Sequence, residues 1–272
     1  MSIKNISVIG LGTMGKGIIQ TFAKHNYKIT GINLNSNTFD KNVTNVISLL
    51  DKYNINNKKI EFSTDISKIK ESDLIIECIK EDKNEKIELY KKINKHTSDK
   101  SIVATNTSSL SLNDLQNHID LKQNFIGMHF FNPVPKMKLV EIIKNDNTDK
   151  MIVNKVINLI NNINYKPIIC KDSPGFIVNK LLIPQIIQAI HLYSKNIASI
   201  EDIDNAAKLG LGHPMGPLEL SDYIGNDVVL SIIKNIENKE YFEKYSDGIQ
   251  TLEKLVYENK LGRKTGEGFY KR

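Results

Sequence analysis

The segment ISVIGLGTMGKGII, residues 6–19, constrains the fold of this chain more than any other stretch. A short β-branched run ends on glycine, Gly10, Gly12 and Gly15 follow in G-x-G-x-x-G spacing, and a helical apolar pattern begins at once. In that setting the first glycine permits a tight turn. The second lets backbone amides approach a pyrophosphate, and the third lets the helix pack closely on the strand. Free N–H groups and the positive end of the helix dipole favour an anion at this place. The spacing alone is a weak signal, but strand before and helix after make it a dinucleotide-binding signature, with Thr13 and Met14 inside the same turn.

Further β-like runs follow at KITGIN (28–33), DLIIECI (73–79) and SIVATN (101–106). Between the strands lie TMGKGIIQTFAKHN, SNTFDKNVTNVISLLDKYN and NEKIELYKKINKH, with apolar residues at helical spacing. Such alternation builds a parallel sheet covered by helices. NFIGMHF and MKLVEII are separated only by FNPVPK, too short for a crossover helix, which predicts an antiparallel hairpin. A helix over 148–164 and a strand at KPIIC complete this half. From DSPG (172–175) onward one helical pattern follows another, and Ser199 with Asp202 forms a capping-box-like start. The predicted class is α/β: a Rossmann-like, doubly wound, mainly parallel sheet over 1–172, then an all-helical domain over 173–272.

With 272 residues, 40% of them hydrophobic and 25% charged, the chain has ordinary globular composition and can bury a substantial core. Its formal charge of +6 comes from scattered lysines without an arginine-rich block or basic-aromatic stripe, so nucleic acid is not an expected partner. Cys78 and Cys170 sit in apolar runs away from any CxxC or metal-ligand spacing, which predicts buried free thiols and no metal centre. Glycines and Lys16 interrupt the first apolar run, no small-residue cleavage site follows it, and nothing reaches the roughly 18 apolar residues of a membrane span. A cytoplasmic protein without a membrane contact is expected.

Three places carry candidate chemistry. At the end of the second strand, where NAD-binding folds commonly hold an acid for the ribose hydroxyls, stands Asn33. An amide still bonds a hydroxyl but does not repel a 2′-phosphate, and INLNSN offers no arginine to welcome one, so NAD is the expected cofactor with NADP not excluded. In the predicted hairpin, His129 and Glu141 are equidistant from Pro135 and fall opposite each other. A carboxylate there fixes the imidazole tautomer and stabilises its protonated form, giving a base suited to work near neutral pH. Taken alone, a histidine beside a turn is more often structural. A glutamate among Leu139, Val140, Ile142 and Ile143, however, needs a partner. TNTSSL (105–110) leaves a strand at the sheet's carboxyl edge, where its hydroxyls and amide are either ligand contacts or plain turn residues.

GLGTMGKGI, NTSSL, GMHFFNPVPKMKLVE, SPGFIVNKLL, HPMGPLEL and GRKTGEGFY, in this order from residue 4 to the end, together resemble the 3-hydroxyacyl-CoA dehydrogenases, specifically the short bacterial 3-hydroxybutyryl-CoA type. The resemblance implies His129 as catalytic histidine with Glu141 as its partner, and Ser108 and Asn179 bonding the reacting oxygen or the thioester end of an acyl-CoA. It implies cofactor contacts from Glu81 and Lys86 to the ribose and from Asn106 to the nicotinamide. On sequence alone Glu81 and Lys86 pass for solvated charges at a helix start. It further implies a helical domain that forms a homodimer and covers the substrate, and a place in fatty acid or butanoate metabolism. Two departures stand out: Asn33 replaces the usual aspartate, and the stretch before SDLIIEC is shorter than the family's helical hairpin, leaving Lys58 and Lys59 as candidates to meet CoA phosphates. Another β-hydroxyacid dehydrogenase, which relies on a helix-borne lysine, and a silent cofactor-binding protein of the same fold are the alternatives.

Overall fold

The computed structural model describes residues 3–235 and 242–271. The chain divides into two compact units, Met1–Phe176 and Ile177–Arg272. The strands of the first unit are β1 (Asn5–Ile9), β2 (Lys28–Ile32), β3 (Ile60–Ser63), β4 (Leu74–Glu77), β5 (Ile102–Thr105), β6 (Phe125–Phe130), β7 (Leu139–Lys144) and β8 (Lys166–Lys171). They form one eight-stranded sheet in the order β3-β2-β1-β4-β5-β6-β7-β8. From β3 to β6 all neighbours are parallel, β7 pairs antiparallel with β6, and β8 is parallel to β7. The first six strands thus have the order of a doubly wound dinucleotide-binding sheet, extended by a reversed pair.

Side chains alternate between the two faces of the sheet, as the pleat requires. On one face Val8, Leu74, Ile76, Ile126, Met128 and Ile142 pack with α1 (Thr13–Lys24), α2 (Ser36–Lys52) and α5 (Lys150–Asn162). On the other, Ile9, Ile75, Val103, Phe125 and Ile143 pack with α3 (Lys83–His96) and α4 (Leu112–Gln116). Helix starts are fixed locally: the Asp82 carboxylate accepts from Asn84 N at 2.9 Å and Glu85 N at 3.0 Å and begins α3. Such a cap contributes about 1 kcal/mol. β3 and α4 were not anticipated, because IEFS is a four-residue, half-exposed edge strand and LNDLQ barely exceeds one helical turn. Cys78 and Cys170 are free but only partly buried, which corrects the expectation of buried thiols; Cys170 lies on the edge strand β8, whose residues are largely open to solvent.

The second unit holds α6 (Val178–Ser194), α7 (Ile200–Asn205), α8 (Pro217–Ile224), α9 (Asn226–Asn235) and α10 (Ser246–Tyr257). Its core gathers Ile183, Ile186, Ile187 and Ile190 of α6 with Leu218, Val229 and Leu252. Ser199 caps α7 by accepting from Asp202 N at 3.1 Å while its hydroxyl donates to Asp202 Oδ2 at 2.7 Å. Two buried carboxylates explain HPMGPLEL and GRKTGEGFY. Asp204 accepts from Leu218 N and Glu219 N at the start of α8 and from the Tyr270 hydroxyl, at 2.8–2.9 Å. Asp222 accepts from Phe269 N and Tyr270 N, both at 2.9 Å. Gly216 and Gly268 are needed because a Cβ on either would overlap those carboxyl groups. Among the described residues no helix is long and apolar enough to cross a membrane.

Candidate active site

Ile9, Glu77, Thr105 and Gly127 are register partners across β1, β4, β5 and β6, so Gly10, Asn106 and His129 all emerge at the carboxyl edge of the sheet. Gly10 turns the chain at φ 99°, and a Cβ there would lie 2.7 Å from the Cys78 carbonyl oxygen. A Cβ on Gly15 would overlap the Gly10 carbonyl oxygen, so this glycine lets α1 approach the turn. Gly12 differs from both. A Cβ there meets no protein atom within 4 Å, so packing does not demand glycine. Open space at the start of a helix with no side-chain cap is what a pyrophosphate needs. Thr13 and Met14 form the first turn of α1. Beside the turn lies a cavity of about 490 Å³ bordered by Gly10, Asn33, Leu34, Ile79 and Leu89, within the range of cofactor pockets. These residues fit a dinucleotide.

Asn33 is 8% exposed. Its amide nitrogen donates to Asn35 O at 2.8 Å and to Thr38 Oγ1 at 3.1 Å, while its oxygen accepts from Asn42 Nδ2 at 3.3 Å. Both amide hydrogens are therefore spent on the β2–α2 connection, and Asn33 can serve a ribose only as an acceptor.

His129 and Glu141 are direct register partners in the β6–β7 hairpin, with Nδ1 and Oε2 2.7 Å apart. Glu141 is fully buried and His129 is 6% exposed. A carboxylate on Nδ1 assigns the hydrogen to that nitrogen and leaves Nε2 as a proton acceptor. The ring is held by Phe131 and Phe176, at centroid distances of 4.5 Å and 5.7 Å. Neither phenylalanine was singled out from the sequence, although Phe131 stands two residues from the histidine.

The loop after β5 is tied down from several sides. The Asn106 side-chain oxygen accepts from Phe130 N at 2.9 Å, linking this loop to the residue next to His129. Glu81 Oε1 accepts from Thr107 Oγ1 at 2.6 Å, Ser108 N at 2.7 Å and Ser109 N at 3.0 Å. Ser108 Oγ lies 3.3 Å from the same oxygen. Behind Glu81 is Lys86, whose Nζ is 3.4 Å from Glu81 Oε2 and 2.6 Å from Glu77 Oε1. Lys86 is 1% exposed and Glu77 fully buried. The reading as a solvated helix-start charge is therefore wrong for Lys86, which is buried against Glu77, whereas Glu81 remains exposed and meets Lys86 from the solvent side. Burial would raise the Glu81 pKa, but the Lys86 ammonium and the loop donors outweigh it and hold the carboxyl below its ordinary range. Burial likewise opposes the charge on Lys86, and Glu77 with Glu81 overcomes it, raising the ammonium above its ordinary value.

One predicted pair lies elsewhere in the first unit. Lys58 and Lys59 precede β3 at the amino edge of the sheet, where Lys59 O accepts from Ile29 N at 2.9 Å. There they line an open cleft of about 560 Å³ with Lys4, His25 and Lys28. The strand direction thus sends Lys58 and Lys59 away from Gly10 and His129. Asn179, 7% exposed, lies in the first turn of α6 in the second unit.

The family profile described as 3-hydroxyacyl-CoA dehydrogenase, NAD binding domain, matches residues 5–173, and that of the C-terminal domain matches residues 175–272. The chain belongs to the 3-hydroxyacyl-CoA dehydrogenase family. A 3-hydroxybutyryl-CoA dehydrogenase of Clostridioides difficile is 41% identical over 279 residues, covering 97% of this chain and 98% of its own. The mitochondrial hydroxyacyl-coenzyme A dehydrogenase of Sus scrofa is 39% identical over 288 residues, covering 99% and 91%. Among solved structures, the (S)-3-hydroxybutyryl-CoA dehydrogenase of Ralstonia eutropha aligns with a TM-score of 0.88 at 34% identity over 99% of both chains. Like other members of the 3-hydroxyacyl-CoA dehydrogenase family, this chain joins a Rossmann-type NAD-binding unit to a helical C-terminal unit.

Proposed function

We propose that the protein catalyses reversible hydride transfer between NAD and carbon 3 of a short-chain 3-hydroxyacyl-CoA, with His129 as general base and acid. The observation that carries this is the 2.7 Å contact between His129 Nδ1 and the buried Glu141 at the carboxyl edge of a dinucleotide-binding sheet. In the oxidative direction Nε2 of His129 removes the proton of the C3 hydroxyl, and Glu141 stabilises the resulting imidazolium. Bound NAD supplies the hydride acceptor at its nicotinamide ring. Ser108, on the loop held by Glu81, and Asn179 orient the reacting oxygen or the thioester end, a positioning role that contributes several kcal/mol in well-ordered sites. In reduction His129 returns the proton. Gly10, Gly12, Thr13, Met14 and Gly15 hold the pyrophosphate, Asn33 accepts from the adenosine ribose, and Asn106 faces the nicotinamide. We further read the protein as a cytoplasmic homodimer joined through its helical unit, which sedimentation with and without the second unit tests.

NADH absorbance followed with acetoacetyl-CoA is the decisive assay, run with NADPH in parallel. Rapid loss with NADH supports the reading. No loss would make the protein a silent binder, and activity only on free hydroxy acids would make it another dehydrogenase. His129→Gln should lower kcat by about a hundredfold or more while leaving NADH binding unchanged. Near-normal turnover in that variant removes the mechanism.

A further inference from the structure

We propose that the cleft at the amino edge of the sheet is a second binding site, for a nucleoside polyphosphate, separate from the dinucleotide turn. The cleft holds about 560 Å³, within the range of small-molecule pockets, and Lys4, His25, Lys28, Lys58 and Lys59 border it. Doubly wound sheets bind their ligands in the crevice at the carboxyl ends of the strands. The lysines stand at the opposite ends: Lys4 precedes β1, Lys28 opens β2, and Lys58 and Lys59 precede β3. A molecule held there lies outside the cofactor crevice.

The cluster is a product of folding, because three separate segments supply it. Lys28 N donates to Lys4 O at 3.2 Å and Ile29 N to Lys59 O at 2.9 Å, which sets the three backbones side by side. Like charges brought together in this way repel. Elsewhere lysines meet a carboxylate, as Lys83 does with Asp114, Lys234 with Glu253 and Lys264 with Asp227. Among the described residues no carboxylate pairs with Lys4, Lys28 or Lys58. Glu61, the acid on the border, accepts instead from Thr30 Oγ1 at 3.3 Å. Asp73 spends its Oδ2 on Lys4 N and Asn5 N, at 2.8 Å and 2.9 Å. A cleft edged by one sign of charge focuses its field and favours a multiply charged anion.

The remaining wall narrows the class of that anion. Several ammonium groups around one space suit a chain of phosphates better than a single carboxylate. One of them is anchored, since Lys59 Nζ donates to Asn26 O at 3.2 Å. Between the cations lie Ile3, Tyr27 and Ile60, all half-buried, which give an organic group an apolar place to rest. Tyr27 is fixed against Phe22 in a T-shaped contact at 5.5 Å, so a base would meet a rigid ring. His25 Nδ1 is 2.9 Å from Thr21 O, which makes that nitrogen the donor and leaves Nε2 to accept from a sugar hydroxyl. Phosphate chain, sugar and base thus each find a partner.

The test is equilibrium dialysis of the full chain against labelled ATP at low salt, with NADH saturating the dinucleotide site. One ATP per chain should bind with a Kd of about 0.1 mM, weakening at least about tenfold at about 0.5 M salt. The double variant Lys4→Glu/Lys28→Glu should weaken binding at least about tenfold. Lys208→Glu/Lys271→Glu, which makes the same change of charge at a polar cleft of the second unit, should leave it within about twofold. Inorganic triphosphate should compete about tenfold more weakly than ATP, and adenosine more weakly still. Equal competition by triphosphate and ATP would assign the cleft to inorganic polyphosphate and overturn the nucleoside class. No saturable binding would overturn the proposal, as would equal losses in the two double variants. If Lys4→Glu/Lys28→Glu does not fold, Lys28→Gln with unaltered ATP binding overturns it equally.

Discussion

Asn33 shows how much one atom decides. Its amide nitrogen donates to a carbonyl and a hydroxyl of the β2–α2 connection. Asn33→Asp would set a carboxylate oxygen against the Asn35 carbonyl, which should cost about 1–3 kcal/mol of stability. The same charge would repel a 2′-phosphate, so the ratio of NADH to NADPH activity should rise about tenfold. A melting curve and paired kinetics check both, and a rise in Tm would mean that the amide is not oriented as described. At this scale His129 and Glu141 were legible because hairpin symmetry pairs them by counting. Glu77 in LIIEC carried the same signal as Glu141, an acid in an apolar run, but its partner comes from a crossover helix that no strand count reaches. Lys86 was hidden behind its neighbours: NEKIELYKKINKH is so rich in charge that one lysine at a core-facing position does not stand out. The sheet edge that Lys58 and Lys59 occupy was not legible, because β3, which fixes it, leaves too weak a pattern.

The β1–turn–α1 element separates two demands that one motif conceals. Gly12→Ala puts its methyl into open space, so Tm should stay within a degree or two while NADH affinity falls at least about tenfold. Gly15→Ala drives a methyl into the Gly10 carbonyl and should destabilise the fold itself. Thermal melts and fluorescence titration with NADH distinguish them; equal destabilisation by both would contradict the geometry. Elements of this kind were readable from sequence because their constraint is local: a strand, a turn and a helix start in consecutive residues. The helices ran to the expected places within a few residues. β3 escaped because an edge strand flanked by lysines and serine buries too little to leave a clear alternating pattern.

For the whole molecule, the ion cluster sets limits on stability with pH. Glu81 is depressed in the folded protein, so its contribution is full above the ordinary glutamate value of about 4.3 and is lost as pH falls below it. Lys86 is raised, so its contribution is full below the ordinary lysine value of about 10.4 and is lost as pH rises beyond it. Denaturant midpoints measured across pH should fall at both ends, and Lys86→Met should flatten the alkaline fall. In the second unit, Tyr270→Phe removes one of three donors from the buried Asp204 and should cost about 1–3 kcal/mol. Burial and Asp204 hold the Tyr270 phenol far above its ordinary range, so its contribution is full below the ordinary tyrosine value of about 10 and is lost as pH rises beyond it. The β6–β7 hairpin has a consequence for preparations of the protein. Were β7 to slip by one residue, Glu141 would exchange sides with its neighbours and enter the oily layer that Val140 and Ile142 fill. Misaligned chains thus fail to fold at all, and heating or storage should shrink the number of working molecules while each survivor turns over at the original speed.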